Sequence, residues 1–151
     1  MIESIILAGA LLSGPATAGT AAVEQAQAAA SAIPRAWRPF ASCVSDRESH
    51  GNYAARNRSS SASGRWQFLD NAWRVRGGIE WIVVRQMKKH GASWEVRKRW
   101  YARLSATPIY RWPAWAQDAA FVGVVTERPT GWRHWSLPGH RCQSLVPAVA
   151  A

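Results

Sequence analysis

Between Arg35 and Glu48 the apolar residues Trp37, Phe40, Ala41 and Val44 recur at the i, i+3, i+4, i+7 spacing of one buried helix face. Pro39 fits only a first turn, so the regular helix begins there, with Trp37 just outside it. Glu48 lies four residues after Val44 and continues the core-facing stripe, whereas Asp46 projects towards the opposite side. Turn chemistry follows at once: Gly51-Asn52, then Asn57-Arg58-Ser59-Ser60-Ser61-Ala62-Ser63-Gly64. That run is too rich in Ser for a helix interior and long enough for a small hairpin or lobe. The chain must therefore seat a turn-rich lobe beside the end of a buried helix, and a carboxylate falls at the junction.

The rest reads as helices. Ser63 is placed to cap one that continues through Leu69, Ala72 and Trp73. Ile79, Ile82, Val83, Gln86 and Met87 share a helical face that ends at Gly91, after the basic Lys88-Lys89-His90. Ser93 can cap the next, with Val96, Trp100 and Leu104 on one side and Arg97, Lys98, Arg99 and Arg103 around the remainder. Pro113 opens a last helix through Trp115, Ala119, Val122 and Val125, after which Pro129, Gly131 and Pro138 break regular structure. Trp132 and Trp135, in this tail, have two readings, a wall of a sugar cleft or a cap on the core from outside, of which the cap is the expected one. The fold class is mainly α (α+β), in one domain over about residues 35–145, with a tail at 146–151.

Residues 1–34 differ in composition. Ile5 to Leu12 is an apolar run and Ala16-Thr17-Ala18 a small-residue cleavage site, the outline of a short signal peptide without its usual Lys or Arg. The run is well short of the ~20 residues of a membrane span. The alternative is an Ala-rich helical or flexible leader with little to bury, ending at Pro34.

A carboxyl group among apolar neighbours near a helix C-terminus meets desolvation and an unfavourable dipole, the setting of a general acid. The structural alternative is that Glu48 pairs with Arg47 or another arginine at the helix end. Nineteen Lys and Arg against nine Asp and Glu give a net charge of +10, which points to an anionic partner: nucleic acid, a membrane surface or an acidic wall polymer. Ten tryptophans exceed what a core of this size needs, and Trp is a common platform for sugar rings and bases.

Glu48-Ser49-x-Gly51-Asn52-Tyr53, followed by Ser63-Gly64-x-x-Gln67-Phe68 and Trp73, resembles the lysozyme-like signature shared by lytic transglycosylases and resuscitation-promoting factors. Asn71-Ala72-Trp73 stands where the family has Thr-Trp, and the resemblance returns at Gln117-Asp118-Ala119-Ala120 and Gly131-Trp132-x-x-Trp135. It implies a lysozyme-like helical domain with Glu48 as catalytic acid/base, Gln67 bonding the sugar near the scissile bond, and Tyr53, Trp66 and Ser49 as further substrate contacts. The implied substrate is the β-1,4 linkage between N-acetylmuramic acid and N-acetylglucosamine in peptidoglycan. With no second carboxylate well placed, the resemblance favours transglycosylation, with Asp46- or Asp70-assisted hydrolysis as the other route. The implied partners are peptidoglycan glycan strands and anionic wall polymer, and the implied location is secreted, at the cell wall, or in a phage particle. A non-catalytic wall-binding or particle protein and a basic nucleic-acid binder are the competing classes.

Cys43 and Cys142 are the only cysteines. In an exported protein they would join and pin the tail to the Glu48 helix, a closure of about 4–5 kcal/mol in the chain-entropy model; in a reducing cytoplasm they would be separate buried thiols. Some resuscitation-promoting-factor-like domains have a similar early and late pair. Cys142, His140 and His134 match no recognised ligand spacing, so no metal or cofactor is expected.

Overall fold

The structure is a computed structural model that describes residues 15–70, 78–135 and 140–148, with side chains from residue 19 onward. The apolar run Ile5 to Leu12, the motif residues Asn71, Ala72 and Trp73, and Pro138 lie outside the described residues. Five α-helices among the described residues carry the fold: α1 Pro15–Ser31, α2 Arg38–Ser49, α3 Ile79–Lys89, α4 Trp94–Ser105 and α5 Ala114–Glu127. Two short antiparallel strands, β1 Ala62–Ser63 and β2 Phe68–Leu69, complete it, so the fold is mainly α with one small hairpin.

Helix α2 follows a single 3-10 turn, Arg35–Trp37, and takes Pro39 in its first turn. It buries Phe40, Ala41 and Val44, with Trp37 buried just before it. The helix stops because His50 turns left-handed at φ 52° and Gly51 follows at φ 79°. Their amides donate to the carbonyls of Asp46 and Ser45 and close the last turn. Register in the hairpin sets Ala62 against Leu69 and Ser63 against Phe68, and an isolated bridge from Arg56 to Ser63 adds a third segment. The helix expected to start at Ser63 is thus corrected: Ser63 and Phe68 are strand residues, because Gly64 and Gln67 both take positive φ and reverse the chain between them.

Helices α3 and α5 form the centre. Gly123 lets them meet, since a Cβ at that position would overlap Cγ2 of Ile82. Ile79, Ile82, Val83, Gln86 and Met87 of α3 are all buried, and α5 is buried over most of its circumference. Such a helix reads apolar over most of its surface because neighbours cover most of it. One of those neighbours is α1, which packs on α5 and α3 and buries Ala26 and Ala30. The Ala-rich segment therefore has something to bury: small side chains let its backbone lie close against α5, and the packed body extends upstream of Pro34. Cys43 of α2 is bonded to Cys142, which ties the C-terminal segment to the Glu48 helix. Trp132 and Trp135 are buried over the core. Among the described residues no helix is long and apolar enough to cross a membrane.

Candidate active site

Glu48 sits in the last turn of α2 with 24% of its side chain exposed. Its Oε1 accepts from Arg47 Nε at 3.1 Å and Nη2 at 2.5 Å. Oε2 accepts no bond from the described residues, which leaves one carboxyl oxygen for another partner. The same guanidinium donates to the Trp135 carbonyl at 2.5 Å and lies 2.7 Å from His140 Nδ1. Arg47 is thus held between the carboxylate and the chain's C-terminal segment, beside the disulfide that fixes that segment. The alternative of a Glu48 to Arg47 pair is what the geometry shows, and among the described residues that pair uses Oε1 alone.

The hairpin lobe is fastened next to Glu48 by a polar network. Ser49 Oγ donates to the Arg65 carbonyl at 2.7 Å. Arg65 Nε reaches Ser45 Oγ at 2.8 Å and its Nη1 reaches Tyr53 Oη at 2.6 Å. Tyr53 in turn donates to Asp118 Oδ2 at 2.7 Å, and Trp66 Nε1 donates to Asp118 Oδ1 at 3.0 Å. Burial pushes the Asp118 carboxyl above its usual value, against the pull of the bonds from Tyr53, Arg65 and Trp66. Burial, then the adjacent carboxylate, likewise push the Tyr53 phenol up.

These contacts sort the expected substrate residues. Trp66 is fully buried, its ring stacked on Phe121 with centroids 4.0 Å apart, so its expected use as a sugar contact is corrected: neither face is open. Ser49 and Tyr53 have their hydroxyls engaged inside the lobe, where they position Arg65 and Asp118. Gln67 is half-buried in a left-handed turn at φ 51°, with Nε2 donating to the Gly64 carbonyl at 3.0 Å. Its Oε1 accepts nothing from the described residues and keeps one acceptor for a ligand hydroxyl. Asp46 is 64% exposed and faces His50 and Arg141, on the side away from the core as its register requires. The Asp70 amide donates to the Ser61 carbonyl at 3.2 Å, at the end of the hairpin.

The residues that sequence reasoning underrated are Gln117 and Asp118. Gln117 is fully buried; its Oε1 accepts from the Arg65 amide at 2.9 Å, and its Nε2 is shared among the carbonyls of Tyr53, Ile109 and Trp112. A polar pair in the otherwise apolar run Ala114 to Val125 is the signal that could have found them, since buried polar groups need partners. Among the described residues no group of three His, Cys, Asp or Glu is arranged to hold a metal ion, and Cys142 is taken by the disulfide. No protein-family model, no curated protein and no solved structure matches this chain.

Proposed function

We propose that this protein is a peptidoglycan-cleaving glycosidase, a lytic transglycosylase of lysozyme-like architecture that uses Glu48 as its acid and base. The observation that carries the reading is the place of Glu48: at the end of a buried helix, ahead of a small antiparallel hairpin fastened to that helix end, with Oε2 unengaged among the described residues. Gln67, on the same hairpin, offers an open acceptor. The basic surface suits an anionic wall, and the disulfide suits an oxidising compartment, either outside the cell or in a phage particle.

The carboxylates around it favour a one-acid mechanism. Asp46 faces outwards and Asp118 is held by Tyr53, Arg65 and Trp66, so neither is free to act as a nucleophile. The proton on Glu48 Oε2 passes to the glycosidic oxygen as the bond from the muramyl C1 breaks and positive charge develops on the ring. The carboxylate then takes the proton of the muramyl 6-hydroxyl, whose oxygen closes on C1. The product is a 1,6-anhydro end, no water is consumed and Glu48 regains its proton. Mass spectrometry of fragments released from purified peptidoglycan tests this directly. Anhydro ends are expected; reducing ends, one water heavier, would make the enzyme a hydrolase and reopen the search for a second carboxylate.

One observation favours a second reading. The Glu48 to Arg47 pair, with Arg47 also bonded to the Trp135 carbonyl, is what a structural clamp on the tail would show. In that reading the chain is a non-catalytic wall-binding or particle protein, or a basic nucleic-acid binder, and it releases no muropeptides.

A further inference from the structure

Among the described tryptophans two stand well into solvent, Trp81 at 37% and Trp94 at 50% exposure, and both line one cleft between α3 and α4. On α4, Trp94, Arg97, Lys98 and Tyr101 recur at i, i+3, i+4 and i+7 and so form a single stripe; Trp81 and Val84 of α3 make the opposite wall. The Trp81 and Tyr101 rings meet with centroids 5.0 Å apart. The guanidinium of Arg97 and the ammonium of Lys98 stand over the Trp94 ring, 5.1 and 5.7 Å from its centroid. The cleft holds about 360 Å³, its walls are almost wholly apolar, and its lining includes nothing from α2 or the hairpin.

The face of α4 that turns inward is Val96, Trp100 and Leu104, packed on the core, so the aromatic rings of the Trp94, Arg97, Lys98, Tyr101 stripe are left on the outer side of the helix. The chemistry of the cleft selects its occupant. A sugar ring or a nucleobase can stack on an aromatic face, but seating its polar edge takes acceptors as well as donors, and the side chains of this lining supply only the two cations and one phenol. A free phosphate would use the cations and leave the cleft empty. An amphiphile with an apolar body and an anionic head uses both. Trp beside Arg and Lys is also the composition of side chains that settle at a bilayer interface. Charge agrees: α4 carries Arg97, Lys98, Arg99 and Arg103 against Glu95, which pairs with Lys98 at 2.9 Å, on a chain of net charge +10.

We propose that this cleft docks the protein on an anionic lipid bilayer, with the glycerol and upper acyl region of one lipid between Trp81, Trp94 and Tyr101 and its phosphate at Arg97 and Lys98. The inference is independent of the role of Glu48. The test is co-sedimentation of the full, disulfide-intact chain with vesicles of phosphatidylcholine alone and of phosphatidylcholine mixed with phosphatidylglycerol. Wild type binds the anionic vesicles and not the neutral ones. Arg97→Gln/Lys98→Gln weakens that binding by about thirtyfold, at about fivefold per charge near an anionic surface. Trp94→Ala, which removes a half-exposed ring, weakens it by at least about tenfold. Arg111→Gln/Arg133→Gln removes the same charge at residues outside the cleft lining and changes binding by less than about threefold. Release of muropeptides by the cleft variants stays at the wild-type level, whatever that level is. The proposal is overturned if wild type does not bind the anionic vesicles, if the two charge variants lose binding equally, or if Trp94→Ala binds as wild type; loss of retention of the cleft variants on purified peptidoglycan or single-stranded DNA, with no vesicle binding, would assign the cleft to that polymer instead.

Discussion

Replacing Gly64 by Ala should damage the site without touching a reacting group. Gly64 takes φ +77°, and a Cβ there would overlap Oε1 of Gln117 and stand 3.0 Å from its Cδ and 3.2 Å from Ile109 Cγ2. The left-handed backbone alone costs an L-residue roughly 1–2 kcal/mol. Displacing Gln117 is worse, because its amide serves Arg65 N and the carbonyls of Tyr53, Ile109 and Trp112, and leaving such buried groups unpaired costs roughly 1–3 kcal/mol each. Partial relaxation leaves a total of about 3–5 kcal/mol, or a fall in Tm of about 10 °C for a chain of this size. Urea unfolding followed by circular dichroism reads the first figure and a thermal scan the second. The cycle with Gln117→Ala isolates the cause: on that background Gly64→Ala should cost only about 1–2 kcal/mol, the backbone part. A Gly64→Ala variant within about 0.5 kcal/mol of wild type, or one equally costly on both backgrounds, would refute the packing of this glycine against Gln117.

Reducing the Cys43–Cys142 bond, whose partners are 99 residues apart, should remove about 4–5 kcal/mol and free the C-terminal segment to proteolysis; a Tm unchanged by reductant would contradict this. His134 is held by burial at a pKa of about 4, below its usual 6.5. The unfolded chain therefore binds a proton that the folded chain refuses, so this contribution is complete above pH 6.5 and lost as pH falls towards 4. In His134→Gln the urea midpoint should vary less over that window than in wild type, and equal slopes would exclude the effect; the opposite contribution of the raised Asp118 cancels in the comparison. Tyr53→Phe removes the bond to Asp118 and an acceptor of Arg65, and should cost roughly 1–2 kcal/mol in the same assay.

Much of the helical frame was legible because its signals are local. The stripe Trp37, Phe40, Ala41, Val44 is buried as its period requires, Ser93 caps α4 by accepting from the Val96 amide, and Pro113 precedes the first turn of α5. Periodicity could not find what depends on a distant partner. The Ala-rich segment offers little hydrophobic contrast, so its docking on α5 through Ala26 and Ala30 was invisible, as was the need for Gly64 to admit Gln117. Glu48 could be placed at a helix end, but its pairing with Arg47 and the passage of that guanidinium to Trp135 and His140 depend on where the tail returns. Trp66 was indistinguishable from an exposed platform because the ring that covers it, Phe121, lies on another helix.

The role of Glu48 is tested most directly by comparing muropeptide release from purified peptidoglycan by wild type and Glu48→Gln. The substitution keeps the size of the side chain and its contact with Arg47 through a neutral carbonyl, while removing the proton that the glycosidic oxygen must receive. Release should fall by at least about a hundredfold, with circular dichroism and the disulfide unchanged. Equal release by both proteins would show that the acid lies elsewhere, and no release by either would leave Glu48 as the clamp that holds Arg47 to the tail.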